Sequence, residues 1–422
     1  MKKLIIKIKK SKFIKDNFVL LVCITILNIL GFLFHFYMGR KLGPADYGVL
    51  GTILALVYLA GISFNTIQIS IAKFVSKFKA KKEYGKISFL LNASIKKLTI
   101  YGIIATIIFI LISKPIASFL HINISPLILL SPIILFISFA TINRGILQGL
   151  QKFKGLGITF IGEGVIKFFG GVLLVSIGWR VNGAILAIVL SYLAAFFIGF
   201  YPLKKISKHK KTKFETKPVY KYSLPVLVTL LSLTAYNSID LILVKHFFNN
   251  IEAGYYAAIS LIGKVLFFGT ISISQVMFPK VSELHEAGKV HKPLLYKSLL
   301  ITLVFIIPII AIYFLFPSFI VNLLYGKEYL AITGLIGWFS VFVGLFCLVY
   351  ILAFYNMSIH KMKFLYVLLI FNLIEIFLLY NFHQSLMQII TILTILMLIL
   401  FLILSVYTLK TNKKSKDLNI LP

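Results

Sequence analysis

The feature of this sequence that most constrains its fold is a series of long apolar runs separated by short polar segments. Residues 98–113 and 389–409 contain no charged side chain, and about 20 apolar residues in a helix cross about 30 Å of hydrocarbon. Hydrophobic residues make up 59% of the 422-residue chain and charged residues only 13%. These values exclude an ordinary soluble domain and predict an all-α, multi-pass membrane protein.

Apolar runs bounded by charges, glycine and proline predict twelve spans, with a turn at Gly43 and Pro44 between the first two. The basic opening is typical of a signal peptide, but the run at 18–38 has the length of a span and lacks an A-x-A cleavage site, so we expect a retained first span. The predicted spans lie near residues 17–38, 48–72, 87–113, 125–148, 158–178, 184–203, 222–247, 255–279, 294–316, 329–356, 364–380 and 386–409.

The positive charges are distributed unevenly between the loops. With the N-terminus inside, 32 of the 44 Lys and Arg residues fall on inner segments and 6 on outer loops. Short loops rich in Lys and Arg stay cytoplasmic, so we expect both termini in the cytoplasm and a multi-pass protein of the cell membrane. The net charge of +32 then forms a belt against anionic membrane lipid, and no nucleic-acid partner is expected.

The longest basic stretch, residues 204–221, divides the chain almost in half and is the best linker candidate. We expect a six-helix N-terminal lobe at 1–203, a basic cytoplasmic linker at 204–221, and a six-helix C-terminal lobe with a short basic cytoplasmic tail at 222–422. A shift of 206 residues lays residues 45–78 on 251–284, with few identities, and carries spans 1 and 2 onto spans 7 and 8. Two pseudo-symmetric, parallel lobes are the architecture that this repeat predicts.

Two windows carry a resemblance to a known family. "GRKLGPADYGVLG" (39–51) resembles the first outer loop of the oligosaccharide flippases in the multidrug/oligosaccharidyl-lipid/polysaccharide (MOP) exporter superfamily. "SIDLILVKHFFNNIEAGYYAAISLIGKV…MFPKVSEL" (238–284) is similar to the seventh and eighth spans of the same family. The resemblance implies two lobes around a central cavity, and a transporter that moves a lipid-linked oligosaccharide from the inner to the outer leaflet by alternating access. Other membrane proteins of polysaccharide assembly are candidate partners.

Ionisable side chains inside the predicted spans are the candidates for function, because each costs about 2.5–3.5 kcal/mol at a helix centre. Lys264 lies near the middle of span 8, and a substrate-binding role or an ion pair with Asp240 would explain it. Asp240 lies in span 7, with Asn237 three residues earlier on the same predicted helical face. A bond to the backbone or to Lys245 is the structural alternative for Asp240.

Spans 4, 5 and 11 contain further ionisable groups. Glu163 and Lys167 are four residues apart and can pair on one helical face; a packing role and a role in transport are both consistent with this spacing. Arg144 lies within a turn of the cytoplasmic end of span 4 and is expected to extend toward the headgroups. Glu375 is a lone acid, for which a partner on another helix or a protonated carboxyl is the expected explanation.

A lipid diphosphate needs compensating cations in a medium of low dielectric constant. Lys264 and Lys167 are the predicted substrate-binding residues, with Arg40 and Lys41 at the outer mouth. Asp240, Glu163 and Glu375 are predicted to hold these cations in ion pairs or to titrate with a coupling ion, H⁺ or Na⁺. We expect no other cofactor, no metal site and no catalytic residues.

Two other functions fit a membrane protein of this kind. A multidrug or small-cation exporter of the same superfamily would favour a more acidic cavity, whereas six basic residues here lie within predicted spans against three acids. A membrane-embedded polysaccharide polymerase would need a large loop that carries catalytic groups. The predicted outer loops are no longer than about a dozen residues, which disfavours an enzyme.

Overall fold

The computed structural model describes residues 12–214 and 224–417, and side chains within 19–214 and 227–409. These ranges are mostly helical and contain no strand, because a segment in lipid must satisfy its backbone hydrogen bonds internally. The principal helices are Lys12–Ala80, Tyr84–Leu120, Ile133–Gly149, Phe153–Leu174, Arg180–Phe200, Leu224–Ala235, Ile239–Phe247, Asn250–Glu286, Lys292–Leu315, Thr333–Ser358, Phe364–Asn381 and Leu386–Asp417. Shorter helical elements are Ser125–Leu130, Val175–Trp179, Tyr201–Leu203, Lys204–Ser207, Pro317–Leu324 and Lys327–Ile332.

Ten helical segments in the described ranges are long and apolar enough to cross a membrane. Two of them, Val19–Ala80 and Phe153–Ser207, have 62 and 55 residues, more than twice the roughly 20 that one crossing needs. Each contains a glycine with positive φ, 72° at Gly43 and 96° at Gly178, a conformation that interrupts a helix and that glycine adopts without steric cost. If each of the two long segments crosses twice, the described residues make the twelve crossings that the sequence predicts.

The chain divides into two compact units, Met1–Leu227 and Val228–Pro422. We refer to them as the N-terminal and C-terminal units. The helical bounds of the two follow the 206-residue shift. In the N-terminal unit, the helical segment after the break at Gly43 runs from residue 44 to residue 80. Adding 206 to these numbers gives 250 and 286, the first and last residues of the helix Asn250–Glu286 in the C-terminal unit. The 206-residue shift therefore relates the bounds of these two helices, although few residues are identical.

Glycines allow two helices of the N-terminal unit to approach closely. Gly157, Gly164 and Gly171 are seven residues apart, about two helical turns, and lie along one face of Phe153–Leu174. A Cβ atom at Gly157 would lie 2.5 Å from the Sγ atom of Cys23, and one at Gly171 would lie 2.7 Å from Cε of Met38. Larger side chains at these positions would therefore separate the helix from the first one.

The described part of the predicted linker is attached to the N-terminal unit. The Ser88 hydroxyl donates to the backbone carbonyls of Ser207, at 3.2 Å, and His209, at 3.1 Å. These bonds fix residues 204–214 against the start of the helix that contains Ser88. Residues 215–221, the rest of the predicted linker, lie outside the described residues.

The predicted third span, 87–113, has the wrong bounds. The helix runs from Tyr84 to Leu120 and includes Pro115, which the sequence interpretation placed beyond its end. Lys96 and Lys97 are exposed, and the uncharged run begins only after them. The first turns of this helix therefore carry solvated lysines, and its apolar part lies closer to the C-terminal end than predicted.

Candidate functional site

The N-terminal unit buries an arginine against a glutamate. Arg144, on Ile133–Gly149, places Nη2 2.5 Å from Oε2 of Glu163, on Phe153–Leu174, and each side chain is about 10% exposed. The same guanidinium donates from Nε to the Thr159 hydroxyl at 3.1 Å and from Nη2 to the Thr159 carbonyl at 3.2 Å. The prediction that Arg144 extends to the headgroups is therefore wrong, because a buried carboxylate and two further acceptors hold the guanidinium inside the unit.

Lys167 lies one helical turn beyond Glu163. The two charges interact electrostatically, but the hydrogen-bonded ion pair of Glu163 is with Arg144 rather than with Lys167. The phenol of Tyr192 hydrogen-bonds to Glu163 as well. The ammonium of Lys167 lies 4.8 Å from the ring centroid of Phe34, within the range of a cation–π contact. The charge of Glu163 is thus neutralised mainly by Arg144, and Lys167 remains half-buried against an aromatic face.

The "GRKLGPADYGVLG" segment turns at Gly43, as the sequence predicts. Arg40 and Lys41 are exposed there. Asp46 accepts a hydrogen bond from Nε of Arg180 at 2.7 Å. Arg180 has a φ of 45°, unfavourable for a residue with a Cβ atom, and directly follows the break that begins at Gly178. The ion pair therefore joins the two interruptions of the long helical segments in this unit.

The C-terminal unit contains a broken helix where the sequence predicts a continuous span at 222–247. The chain leaves helical geometry between Leu224–Ala235 and Ile239–Phe247. The Tyr236 hydroxyl donates to the Leu368 carbonyl at 2.7 Å, which anchors the break to the helix Phe364–Asn381. Asn237 therefore lies in the turn, and the prediction that it shares a helical face with Asp240 is wrong.

Asp240 lies in the first turn after this break and is 1% exposed. Its Oδ1 accepts from the backbone N–H of Leu241 and its Oδ2 accepts from the Tyr256 hydroxyl, both at 2.8 Å. Lys264, two helical turns beyond Tyr256 on Asn250–Glu286, is half-buried and interacts electrostatically with Asp240. The structure thus brings the predicted residues Asp240 and Lys264 together and adds Tyr256 to them.

Glu375 is the second acid of the C-terminal unit. It is 0% exposed, and neither carboxyl oxygen has a hydrogen-bond partner. The buried Oδ1 of Asn372 and Oγ of Ser232 also lack partners, whereas Nδ2 of Asn372 donates to the Leu368 carbonyl at 3.0 Å. Asp240 and Glu375 are close enough to repel each other electrostatically. An unsatisfied buried carboxyl is stable only when it is protonated or when a cation compensates its charge.

Lys245 is one of the six basic residues that the charge count assigns to outer loops, although the predicted span 222–247 contains it, and the structure places it inside a helix. It lies within Ile239–Phe247 and is 1% exposed. Most residues of this short helix are hydrophobic, and the Lys245 side chain is buried together with them. Among the described residues, no group of three or more His, Cys, Asp or Glu side chains is placed to hold a metal ion.

Comparison with known proteins identifies the family. A family model described as "Polysaccharide biosynthesis protein" matches residues 37–333. The chain belongs to the polysaccharide biosynthesis protein family. This family member is also 27% identical to the uncharacterized membrane protein MJ1375 of Methanocaldococcus jannaschii over 293 residues, which cover 64% of this chain and 68% of the relative. The match to the family model includes both windows in which the sequence resembles the flippases.

Solved structures show that this member of the polysaccharide biosynthesis protein family has the fold of MOP-superfamily transporters. An inward-facing multidrug resistance MATE transporter of that superfamily superposes with a TM-score of 0.79 at 13% identity, covering 93% of this chain and 99% of the other. An outward-facing MATE transporter gives 0.65 at 16% identity, covering 96% and 97%. A MOP transporter from Pyrococcus furiosus, whose structure is described as having a binding pocket of reverse polarity, gives 0.62 at 15%, covering 93% and 94%. The chain is therefore a multi-pass membrane protein with a transporter fold.

Several residues of these clusters escaped sequence reasoning. Tyr256 has no charge, and tyrosine is common in apolar helices, so its bond to Asp240 left no signal. Arg144 and Glu163 are 19 residues apart, on two helices, and no spacing rule connects them. Asn372 precedes Glu375 by three residues on one helix. That i, i+3 pair was the available signal for a polar face on span 11.

Proposed function

We propose that this protein is a flippase that translocates a lipid-linked oligosaccharide from the inner to the outer leaflet of the cell membrane by alternating access. One observation carries the proposal: a chain that belongs to a polysaccharide biosynthesis family has a transporter fold. In glycan assembly, sugars are attached to the lipid on one side of the membrane and used on the other. A transporter is needed to carry the lipid-linked sugar across, which soluble enzymes cannot do. We place both termini in the cytoplasm, on the inner side.

The cations in the two units support an anionic substrate. Lys264 and Lys167 are both half-buried, and each lies near an acid of its own unit, Asp240 and Glu163 respectively. We assign to each lysine the neutralisation of phosphate charge as the substrate passes its unit. The exposed Arg40 and Lys41 provide further positive charge at the outer hairpin. Each nearby acid reduces the electrostatic cost of a charged lysine when no substrate is bound.

The broken helix of the C-terminal unit supports a coupling role. Glu375 has two unpartnered carboxyl oxygens, and Asn372 and Ser232 each add one unpartnered oxygen. Oxygen atoms beside a helix interruption suit a small cation such as Na⁺, and a proton on Glu375 would also compensate the charge. We therefore assign Asp240 and Glu375 to the coupling ion, H⁺ or Na⁺. Glu163 has a permanent partner in Arg144 and is assigned to holding charge rather than to coupling.

A multidrug or small-cation exporter is the second candidate. Its support is the likeness to multidrug resistance MATE transporters, together with the acidic pair in the C-terminal unit. An exporter of organic cations would use Asp240 and Glu375 to bind its substrate, whereas a flippase would use Lys264. The two functions therefore differ in the residue whose charge the substrate requires.

The decisive experiment is transport by the purified protein in lipid vesicles with a fluorescent polyprenyl-diphosphate-linked oligosaccharide. We expect Lys264→Ala to reduce translocation strongly and Lys264→Arg to retain much of it. Lys280→Ala is the matched control, because this lysine is exposed on the same helix. Unchanged translocation by well-folded Lys264→Ala would reject the substrate role. Transport of organic cations with no transport of the lipid would favour the exporter.

The same question can be asked in cells. Deletion should cause a lipid-linked oligosaccharide to accumulate on the cytoplasmic face, whereas normal translocation with loss of polymerisation would favour an enzyme. Cysteine labelling tests the orientation, because the native Cys23 and Cys347 are both buried. A Lys211→Cys variant, with the cysteine in the described part of the linker, should react only with probes supplied from the cytoplasmic side.

A further inference from the structure

An apolar groove of about 480 Å³ opens on the N-terminal unit, beside the turn Tyr201–Leu203. Its lining consists of Gly155, Ile158, Phe197, Ile198, Tyr201 and Pro202. Ile158 is 55% exposed and Phe197 is 62% exposed, so these side chains face outward from the unit. The groove lies between the helices Phe153–Leu174 and Arg180–Phe200. A flexible hydrocarbon chain fits such a surface, since this lining offers contact area but little hydrogen bonding.

Lysines surround one end of this groove. The ammonium of Lys204 lies 5.6 Å from the ring centroid of Tyr201, and that of Lys152 donates to the Pro202 carbonyl at 3.1 Å. Lys154 directly precedes the groove residue Gly155, and all three lysines are exposed. Their positive charges thus lie beside an apolar surface.

The segment that carries these lysines is poor in acidic residues. Between residues 145 and 214 the sequence contains one acid, Glu163, and that carboxylate is buried against Arg144. The lysines therefore present positive charge that an anion from outside the chain can neutralise. The apolar groove beside them requires that this anion carry a hydrocarbon chain.

We propose that this groove binds an anionic phospholipid of the surrounding membrane. An acyl chain lies along Ile158 and Phe197, and the phosphate contacts Lys154 and Lys204, with Lys152 at the edge. The lysines favour an anion, and the adjoining apolar surface favours one that carries a hydrocarbon chain. A free anion would make no contact with the groove. The site lies outside both buried charge clusters and does not depend on the proposed transport function. Its effect is to hold the two groove helices together at their lysine-bearing end.

Lipid binding to the detergent-purified full chain tests the proposal, measured by native mass spectrometry and by lipid-induced thermal stabilisation. The probes are phosphatidylglycerol, phosphatidylcholine with the same acyl chains, glycerol phosphate and a polyprenyl monophosphate. We expect phosphatidylglycerol to bind and stabilise most, and glycerol phosphate to have no effect. The variant Lys154→Gln/Lys204→Gln should weaken phosphatidylglycerol binding by about tenfold or more, since each lysine near a lipid headgroup contributes about 1 kcal/mol.

Two control variants separate the groove from general surface charge. Lys77→Gln/Lys81→Gln removes two exposed lysines elsewhere in the N-terminal unit and should leave phosphatidylglycerol binding unchanged. Phe197→Ala should weaken binding, whereas Phe169→Ala, which removes a side chain that is 59% exposed on one of the same helices, should not. Equal loss in both lysine pairs would overturn the proposal. So would binding of the polyprenyl phosphate without phosphatidylglycerol, which would assign the groove to a carrier lipid.

Discussion

The two units bury their charges in different ways. In the N-terminal unit, Glu163 lies 2.5 Å from Arg144, and the guanidinium makes two further hydrogen bonds to Thr159. In the C-terminal unit, Asp240 has two donors but Glu375 has none. One cluster is therefore electrostatically closed, whereas the other contains a carboxyl that needs a proton or a cation from elsewhere.

This difference predicts a structural role for the ion pair of the N-terminal unit and a role in transport for Glu375 of the C-terminal unit. A buried ion pair with satisfied hydrogen bonds is costly to break but gains nothing from a further ligand. A buried carboxyl without a donor is costly as it stands, and binding of a cation relieves that cost. We therefore expect substitutions in the N-terminal cluster to act on stability, and substitutions of Glu375 to act on coupling.

The largest expected effect is the loss of the Arg144 side chain. Arg144→Met leaves the carboxylate of Glu163 buried without its main partner and should destabilise the N-terminal unit by about 3–5 kcal/mol. The double variant Arg144→Met/Glu163→Met should recover most of this loss. A thiol-reactive dye can measure unfolding of this unit in a Cys347→Ala background, because Cys23 is then the one remaining cysteine and is buried.

The matched control for Arg144 is Lys86→Met. It breaks the pair of Lys86 with Glu83, whose side chains are 29% and 31% exposed, and should cost at most about 1 kcal/mol. If Arg144→Met is no more destabilising than this control, the closed pair contributes little and the contrast between the units fails.

Glu375→Gln, unlike Arg144→Met, should change the coupling of transport and not lower stability. Because the native carboxyl has no hydrogen-bond donor, the neutral amide should leave the melting temperature unchanged or raise it. The same substitution should remove the dependence of translocation on the pH or Na⁺ gradient. Transport rates at varied pH and Na⁺ measure this effect, with Glu163→Gln as the comparison that lowers stability. Ion dependence that persists in well-folded Glu375→Gln would refute the coupling assignment.

Tyr256→Phe should have an intermediate effect on stability. It removes the phenol that donates to Asp240 and leaves a buried carboxylate with one donor fewer, which costs about 1–3 kcal/mol. Cys347, in a Cys23→Ala background, reports unfolding of the C-terminal unit. Tyr380→Phe is the control, since the side chain of Tyr380 is 58% exposed. Equal melting temperatures for the two variants would argue that Asp240 is held by other groups.

Much of the fold could be predicted from this sequence because lipid imposes a simple rule. Each crossing needs an uncharged run, and Gly43 marked a turn that the structure confirms. The predicted bounds were wrong where a helix extends beyond its uncharged run, as at Lys96 and Lys97 on the helix Tyr84–Leu120. The break at Tyr236 was also missed, since an interrupted helix keeps the apolar composition of a continuous one.

The sites were less predictable than the fold. The cost of an ionisable group in lipid identified Asp240, Glu163 and Glu375 as residues that need partners. It could not identify the partners, because these lie on helices that are distant in sequence: Arg144 for Glu163 and Tyr256 for Asp240. Burial of a charge is thus a property of one position, whereas its compensation depends on how the helices pack.

The smallest expected effect is on the pH dependence of stability, and it concerns one histidine of the C-terminal unit, with a histidine of the N-terminal unit as the control. His291 lies 5.3 Å from the ring of His285 and hydrogen-bonds through Nδ1 to the Tyr355 hydroxyl at 2.8 Å. Burial, and then the charges of His285 and Lys292, lower the pKa of His291 below its usual 6.5. The unfolded chain therefore binds a proton more readily than the native one, and stability should fall as the pH drops below about 6.5. His291→Gln should flatten this slope in melting temperatures measured from pH 7 to 5, whereas the exposed His209→Gln of the N-terminal unit should leave it as in the wild type. A slope that survives in His291→Gln would have to arise from other titratable groups of the chain.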